Sequence, residues 1–269
     1  MIDFQVLGLA LIQGLTEFLP VSSSGHLILF SYLTSYEDQG QLMDIALHIG
    51  SLFAVMIYFW QTIKEILIEL IQSKGRADFS KSGVRLAYNI LLATLPAIFI
   101  GGCLRYFGMS WTRNIELIGW MLIIYSVLLW YADNYYSTEK EIKDIKMRDA
   151  IFIGLAQCLA FIPGTSRSGV TITVGRFLGY NRSEIAKFSM LLSLPVIFGA
   201  GVLAFREVLQ AGEYQQFILT NQAIVFSFIF SYMAIYLMMK WLRYATYLPF
   251  VIYRIVLGSV LLLKTYGIM

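Results

Sequence analysis

The side chains able to do chemistry in this chain are concentrated in two short runs that resemble each other. Gln13 to His26 reads QGLTEFLPVSSSGH, and Gln157 to Val170 reads QCLAFIPGTSRSGV. Each begins with Gln, passes an apolar turn and a Pro, enters Ser and Thr, and reaches a Gly twelve residues after its Gln. Serine becomes a useful nucleophile only when a base takes its proton. His26 follows Ser23 by three positions, so a helical turn beginning there would bring the imidazole to the hydroxyl. A variant of the same scheme makes His26 itself the nucleophile. Arg167 lies between Ser166 and Ser168, and its planar fork suits two phosphate oxygens at once. Gly164, Ser166, Ser168 and Thr171, with Ser22 and Ser24 from the first run, would complete a phosphate cradle. Backbone amides at a glycine-rich break that opens a helix add to the attraction for anions. Gln13 and Glu17 are four apart, hence on one helical face. Glu17 would orient His26, hold a metal ion, or pair with Arg167 as a structural bridge. Phosphoryl transfer is the reaction these groups suggest, because it asks mainly for positioning and charge stabilisation. No Walker-type loop is present, so a nucleotide is not expected. His48 stands alone in an apolar segment and reads as structural.

The elements that must position these groups are those of a membrane protein. Of 269 residues, 58% are hydrophobic and 14% charged, where a soluble domain carries about a quarter charged residues. The net charge of +3 is too small and scattered to argue for nucleic acid. Cys103 and Cys158 form no metal-ligand spacing and read as small core residues. Six apolar segments, near 42–61, 88–106, 115–133, 184–205, 221–241 and 247–264, are long enough to cross a bilayer. Basic residues crowd the stretches 62–87, 134–149 and 240–246, whereas 105–114 has only Arg105 and Arg113 and 206–220 only Arg206. The positive-inside rule places the first three in the cytoplasm and both termini outside.

The two polar runs do not fit ordinary crossings. Pro20 and the serine run break the first after residues 4–19, leaving only Leu27 to Leu33 apolar; seven helical residues rise about 10 Å, a third of the hydrocarbon thickness. The second repeats the pattern over 150–162 and 169–179. Both are expected to dip in and return on the same side, one from each face. The chain is thus read as an all-α integral membrane protein with six transmembrane helices and two re-entrant helical hairpins in an inverted-topology repeat. It is one domain over 1–269, with halves of about 1–133 and 150–269 joined by a cytoplasmic loop of about 134–149.

With these motifs in view, the chain resembles the undecaprenyl pyrophosphate phosphatases. Gln13 to Glu17 and the following Ser-Ser-Ser-Gly-His26 look like that family's (E/Q)xxxE and SSxGH elements, and Pro163 to Thr171 matches its PGxSRSxxT motif. The resemblance implies hydrolysis of a C55 isoprenoid diphosphate to the monophosphate carrier used in cell-wall synthesis, and with it bacitracin resistance. It also implies a site opening to the outer face of the bacterial cytoplasmic membrane, among its lipids, and dependence on a divalent cation, Mg²⁺ or Ca²⁺. Glu17, Ser23, His26, Ser166, Arg167 and Thr171 are the essential set it implies. Gln13 takes the Gln option of the first motif, which leaves one carboxylate fewer for metal or base work. The rival reading is an inverted-repeat transporter for a lipid phosphate or small anion, with Glu17 as proton relay. Homo-oligomerisation stays open.

Overall fold

The computed structural model describes residues 3–34, 40–74, 76–107, 114–136, 139–211 and 214–268. Among them the chain is helical, apart from loops and one isolated extended bridge between Lys140 and Tyr180. The first polar run forms the break between α1 (Phe4–Thr16) and α2 (Ser23–Leu33). The second separates α7 (Met147–Gln157), extended by a 3-10 turn at Cys158–Phe161, from α8 (Arg167–Phe177). Pro20 lacks the amide that a continuing helix would need. Gly164 stands at φ +88, and a Cβ there would lie 2.6 Å from the Ile118 carbonyl oxygen, so only glycine fits.

Both breaks end on a serine in a left-handed conformation. Ser22 has φ 76 and Ser166 φ 72, values that cost an L-residue about 1–2 kcal/mol. Each offsets part of that strain by capping the helix it opens. Ser22 Oγ accepts the Gly25 N–H at 3.4 Å, and Ser166 Oγ accepts the Gly169 N–H at 3.1 Å. The two runs therefore match in the positive φ and the capping role of this serine as well as in its residue type.

The first unit continues into α3 (Gly40–Tyr58), α4 (Trp60–Gln72), α5 (Ser82–Phe107) and α6 (Ile115–Tyr135); the second into α9 (Arg182–Ala211), α10 (Tyr214–Trp241) and α11 (Leu248–Thr265). Ser82–Leu104, Ile115–Tyr135, Ile218–Trp241 and Leu248–Thr265 are each long and apolar enough to cross a membrane. Leu42–Tyr58 with Trp60–Gln72 makes a fifth span if that bent pair counts as one. The segment expected near 184–205 falls in α9, whose side chains from position 200 onward lie outside the described residues. So do Arg113 and the side chains of Arg105 and Arg206. The stretch 62–87, expected as a basic loop, is instead helical at its start. α4 turns 76° from α3, and its Glu69 carboxylate accepts the Gly83 and Val84 amides at 2.7 and 3.3 Å, capping α5. Ile63, Ile66, Leu67 and Leu70 recur at helical spacing there, and the interspersed charges disguised that period.

α1 packs against α10, and α7 against α5, so each broken unit is braced by a long helix from the other half of the chain. Lipid tails are as apolar as leucine, so polar contacts and close packing matter more for association here than burial does. Between α3 and α10, Ser231 donates to Ser51 at 2.9 Å, and Ser227 donates to the Leu47 carbonyl at 2.6 Å. A second seam centres on buried Asp133 of α6. Its carboxylate accepts Arg176 Nε at 3.0 Å, Arg182 Nε at 2.7 Å and the Tyr247 amide at 3.1 Å. Arg85 donates to the Lys143 carbonyl at 2.5 Å, while Lys140 pairs with the Gly179–Asn181 backbone. Two of the basic stretches, 62–87 and 134–149, thus meet at one end of the bundle.

Candidate active site

The two breaks meet. Glu17 caps the C-terminus of α1 and is nearly buried, while Arg167 opens α8 from the other half of the chain. Arg167 Nη2 donates to Glu17 Oε1 at 2.9 Å, and Nη1 reaches the Ser189 carbonyl at 3.3 Å. Ser23 Oγ donates to Glu17 Oε2 at 2.7 Å, and Gln13 Nε2 reaches the same oxygen at 3.0 Å. One carboxylate therefore bridges a serine hydroxyl and a guanidinium that stand 144 positions apart, at matching places in the two runs.

A cavity of about 390 Å³ opens over this cluster. Its polar side includes Glu17, Ser23, Ser24, Asp44, His48, Gln157, Ser166 and Arg167; Ile45, Ala97, Phe161, Val196 and Ile197 form its apolar wall. The kink-prone prolines of α5 and α9, Pro96 and Pro195, immediately precede Ala97 and Val196 of that wall. A polar pole beside an apolar wall suits an anionic head group carrying a hydrocarbon chain.

The remaining candidates are placed less directly. Ser168 Oγ donates to the Leu19 carbonyl at 2.9 Å and ties one break to the other. Thr171 is fully buried behind Arg167, its hydroxyl 2.7 Å from that of Ser189. Ser22 and Gly164 shape the backbone and do not line the cavity.

His26 is not where its spacing suggested. Its Nδ1 lies 2.7 Å from the Ser22 carbonyl oxygen and its Nε2 2.6 Å from the Tyr253 hydroxyl. The Ser23 hydroxyl points back toward α1 and donates to Glu17 instead. Ser23 is the first residue of α2, and its hydroxyl reaches back across the break. The imidazole folds over Ser22, with one nitrogen on that residue's carbonyl and the other on Tyr253, so both are engaged away from the Ser23 hydroxyl.

His48 corrects the structural reading. Its Nε2 lies 3.5 Å from Glu17 Oε2, and its Nδ1 donates to the Asp44 carbonyl at 2.6 Å. Arg254 was passed over inside an apolar crossing, although an ionisable group at such depth is itself a signal.

The divalent cation implied by the family resemblance finds no cage here. Among the described residues no three carboxylate, imidazole or thiolate groups are arranged to hold a metal. Both Glu17 oxygens are already engaged by donors. Among the described residues, the side chains of this site therefore do not form a ready-made cage for a resident metal.

Residues 6–260 match the family described as Bacitracin resistance protein BacA. The chain is 46% identical over 261 residues to the undecaprenyl-diphosphatase of Ruegeria pomeroyi (strain ATCC 700808 / DSM 15171 / DSS-3), covering 96% of this chain and 97% of that one. It is 44% identical over 259 residues to the undecaprenyl-diphosphatase of Alteromonas mediterranea, covering 96% and 97%. The undecaprenyl-diphosphatase of Roseobacter denitrificans is 38% identical over 266 residues, covering 98% and 99%.

Proposed function

The chain belongs to the Bacitracin resistance protein BacA family, and from that membership and the site we infer that it is an undecaprenyl-diphosphatase. It is a multi-pass membrane hydrolase that converts undecaprenyl diphosphate to undecaprenyl phosphate and inorganic phosphate, recycling the lipid carrier for cell-wall synthesis. The observation that carries the chemistry is the Glu17 carboxylate, shared between the Ser23 hydroxyl and the Arg167 guanidinium at the polar pole of the cavity.

In the reaction, the terminal phosphate takes its place beside Arg167, which turns from Glu17 to the phosphate oxygens. That exchange frees the carboxylate to accept the Ser23 proton. Ser23 Oγ attacks the terminal phosphorus, the bridging P–O bond breaks, and undecaprenyl phosphate leaves with the bond's electron pair. Water then hydrolyses the phosphoserine, and the proton held on Glu17 returns to Ser23. Ser166, Ser24 and the amides opening α2 and α8 hold the remaining oxygens. Gln13 keeps the Glu17 carboxylate turned toward Ser23. Ser168 and Thr171 support the second break from behind, and His26 supports the first through Ser22. A Mg²⁺ or Ca²⁺ ion would supply charge neutralisation for the diphosphate and would arrive with it, since both Glu17 oxygens are engaged by donors. The apolar wall takes the first isoprene units.

The membrane layout follows the sequence reading. Six crossings and two re-entrant units form an inverted repeat, the three basic stretches face the cytoplasm, and the cavity opens to the outer side of the cytoplasmic membrane. The contact between 62–87 and 134–149 supports a common side for those two. A carrier needs no hydroxyl held on a carboxylate, so the transporter reading is not favoured. Phosphate release from undecaprenyl diphosphate by purified protein in detergent tests the function. Wild type should release one phosphate per lipid and Glu17→Ala almost none. Binding without release would sink the proposal.

A further inference from the structure

We propose that Tyr253 and Arg254, neighbours on α11 and outside both motifs, are positioning residues that hold the two breaks in register for the reaction. Arg254 is completely buried at 0% exposure. Its Nη1 donates to the Pro20 carbonyl at 2.9 Å. Its Nη2 donates to the Gly164 and Thr165 carbonyls at 3.1 and 3.0 Å, with a longer contact to Met121 at 3.5 Å. Among the described residues no carboxylate pairs with it. One guanidinium therefore holds backbone carbonyls from both halves of the chain. Those carbonyls lie just ahead of the reacting side chains: Pro20 precedes Ser23 by three positions, and Thr165 precedes Arg167 by two. The first turn of α8 is shaped around this group, since a Cβ on Gly169 would come within 2.8 Å of Arg254 Nη1. A buried cation with only carbonyl partners is a costly way to stabilise a fold. Its placement makes sense as a device for fixing a distance, because a planar fork holds several acceptors at set angles.

Tyr253 acts on the first break through His26. The two rings stack with centroids 5.6 Å apart and planes 13° apart. A carbonyl oxygen only accepts, so Nδ1 of His26 carries the proton given to Ser22. In the neutral ring Nε2 then accepts from the Tyr253 hydroxyl, 2.6 Å away. This chain of contacts fixes the imidazole tautomer and pins Ser22, the strained left-handed residue immediately before Ser23. His26 thereby serves the reaction through the backbone at Ser22, and α11 supplies both pins.

The proposal rests on the phosphatase reading, and one kinetic experiment separates the two. Phosphate release from undecaprenyl diphosphate is measured for wild type, Tyr253→Phe, Arg254→Lys, His26→Ala and the double variant His26→Ala/Tyr253→Phe, each with its thermal midpoint. Tyr253→Phe keeps the stacked ring and loses one hydroxyl, so kcat should fall about tenfold while KM stays within about twofold and the midpoint is unchanged. In the His26→Ala background the same change should cost nothing further, which a purely structural role of the hydroxyl would not produce. Arg254→Lys keeps the charge but replaces the fork with a single point, and kcat should fall by about a hundredfold. Wild-type kcat in Tyr253→Phe, equal losses in both backgrounds, or a folded Arg254→Lys protein with wild-type kcat would each overturn the proposal. Should Arg254→Lys fail to fold, the Tyr253 cycle decides alone. A wild-type protein that releases no phosphate would instead remove the phosphatase reading.

Discussion

Replacing Glu17 by Gln removes the group on which the polar contacts of the site converge, while leaving its shape unchanged. Oε2 faces Ser23 Oγ at 2.7 Å, Gln13 Nε2 at 3.0 Å and His48 Nε2 at 3.5 Å, and Oε1 faces Arg167 at 2.9 Å. An amide turned either way points its own N–H₂ at donors. Arg167 loses a charge-assisted bond worth about 1.5–3 kcal/mol. Ser23 loses its base, which by itself costs about 10²–10⁴ in rate. Together these should lower kcat by about 10³-fold. The pair is mostly buried, so unfolding should also become easier by about 3 kcal/mol, and the assay belongs well below the variant's thermal midpoint. Glu17→Asp sharpens the test. It keeps the charge but withdraws the carboxylate by about 1.5 Å, opening the serine contact beyond hydrogen-bond length. Phosphate release should be nearly as low as for Gln. A Glu17→Gln enzyme that keeps more than about a tenth of wild-type kcat would refute the assignment of Glu17 as base.

Arg167→Lys retains a charge but loses the fork that spans Glu17 and Ser189, and kcat should fall about a hundredfold, close to the effect of Arg167→Ala. Rapid-quench trapping should find phosphate on Ser23, and His26→Ala should still form that adduct while Glu17→Gln does not; absence of phosphoserine from His26→Ala would restore the imidazole as base. Asp133→Ala strands the fully buried Arg176 guanidinium and frees the half-buried Arg182, so detergent thermal unfolding should show about 3 kcal/mol less stability, with the loss read at the protein level rather than in KM. If the cation is carried by the substrate as proposed, a chelator should raise KM for the diphosphate far more than it changes the thermal midpoint; a large fall in midpoint would point to a resident metal instead.

A site built this way explains why the two runs resemble each other and yet differ at the positions that carry the chemistry. Ser22 and Ser166 do the same structural work, each as a left-handed cap opening a helix. The residue after each cap differs: Ser23 in the first run and Arg167 in the second. Glu17 is matched in the second run by Phe161, which instead joins the apolar wall. Duplicated backbone thus carries non-duplicated chemistry, with hydroxyl and carboxylate on one copy and guanidinium on the other.

Much of this was legible in the residues alone. Composition places the chain in a bilayer, because 58% hydrophobic against 14% charged residues leaves apolar segments long enough to cross one. Pro20, Gly164 and the serine runs dictate helix breaks wherever the chain is folded, since amide loss and φ constraints are local properties. Which atoms then touch was decided by tertiary packing. The reach of the Ser23 hydroxyl to Glu17 rather than His26 depends on how α1 turns back over the start of α2, a direction that spacing along one helix does not encode. His48 joins the site only because α3 lies against the first break, and Arg254 only because α11 runs beneath both tips. Hydrogen bonds between groups more than two hundred positions apart are set by helix packing over the whole bundle, and no local pattern in an apolar segment records them.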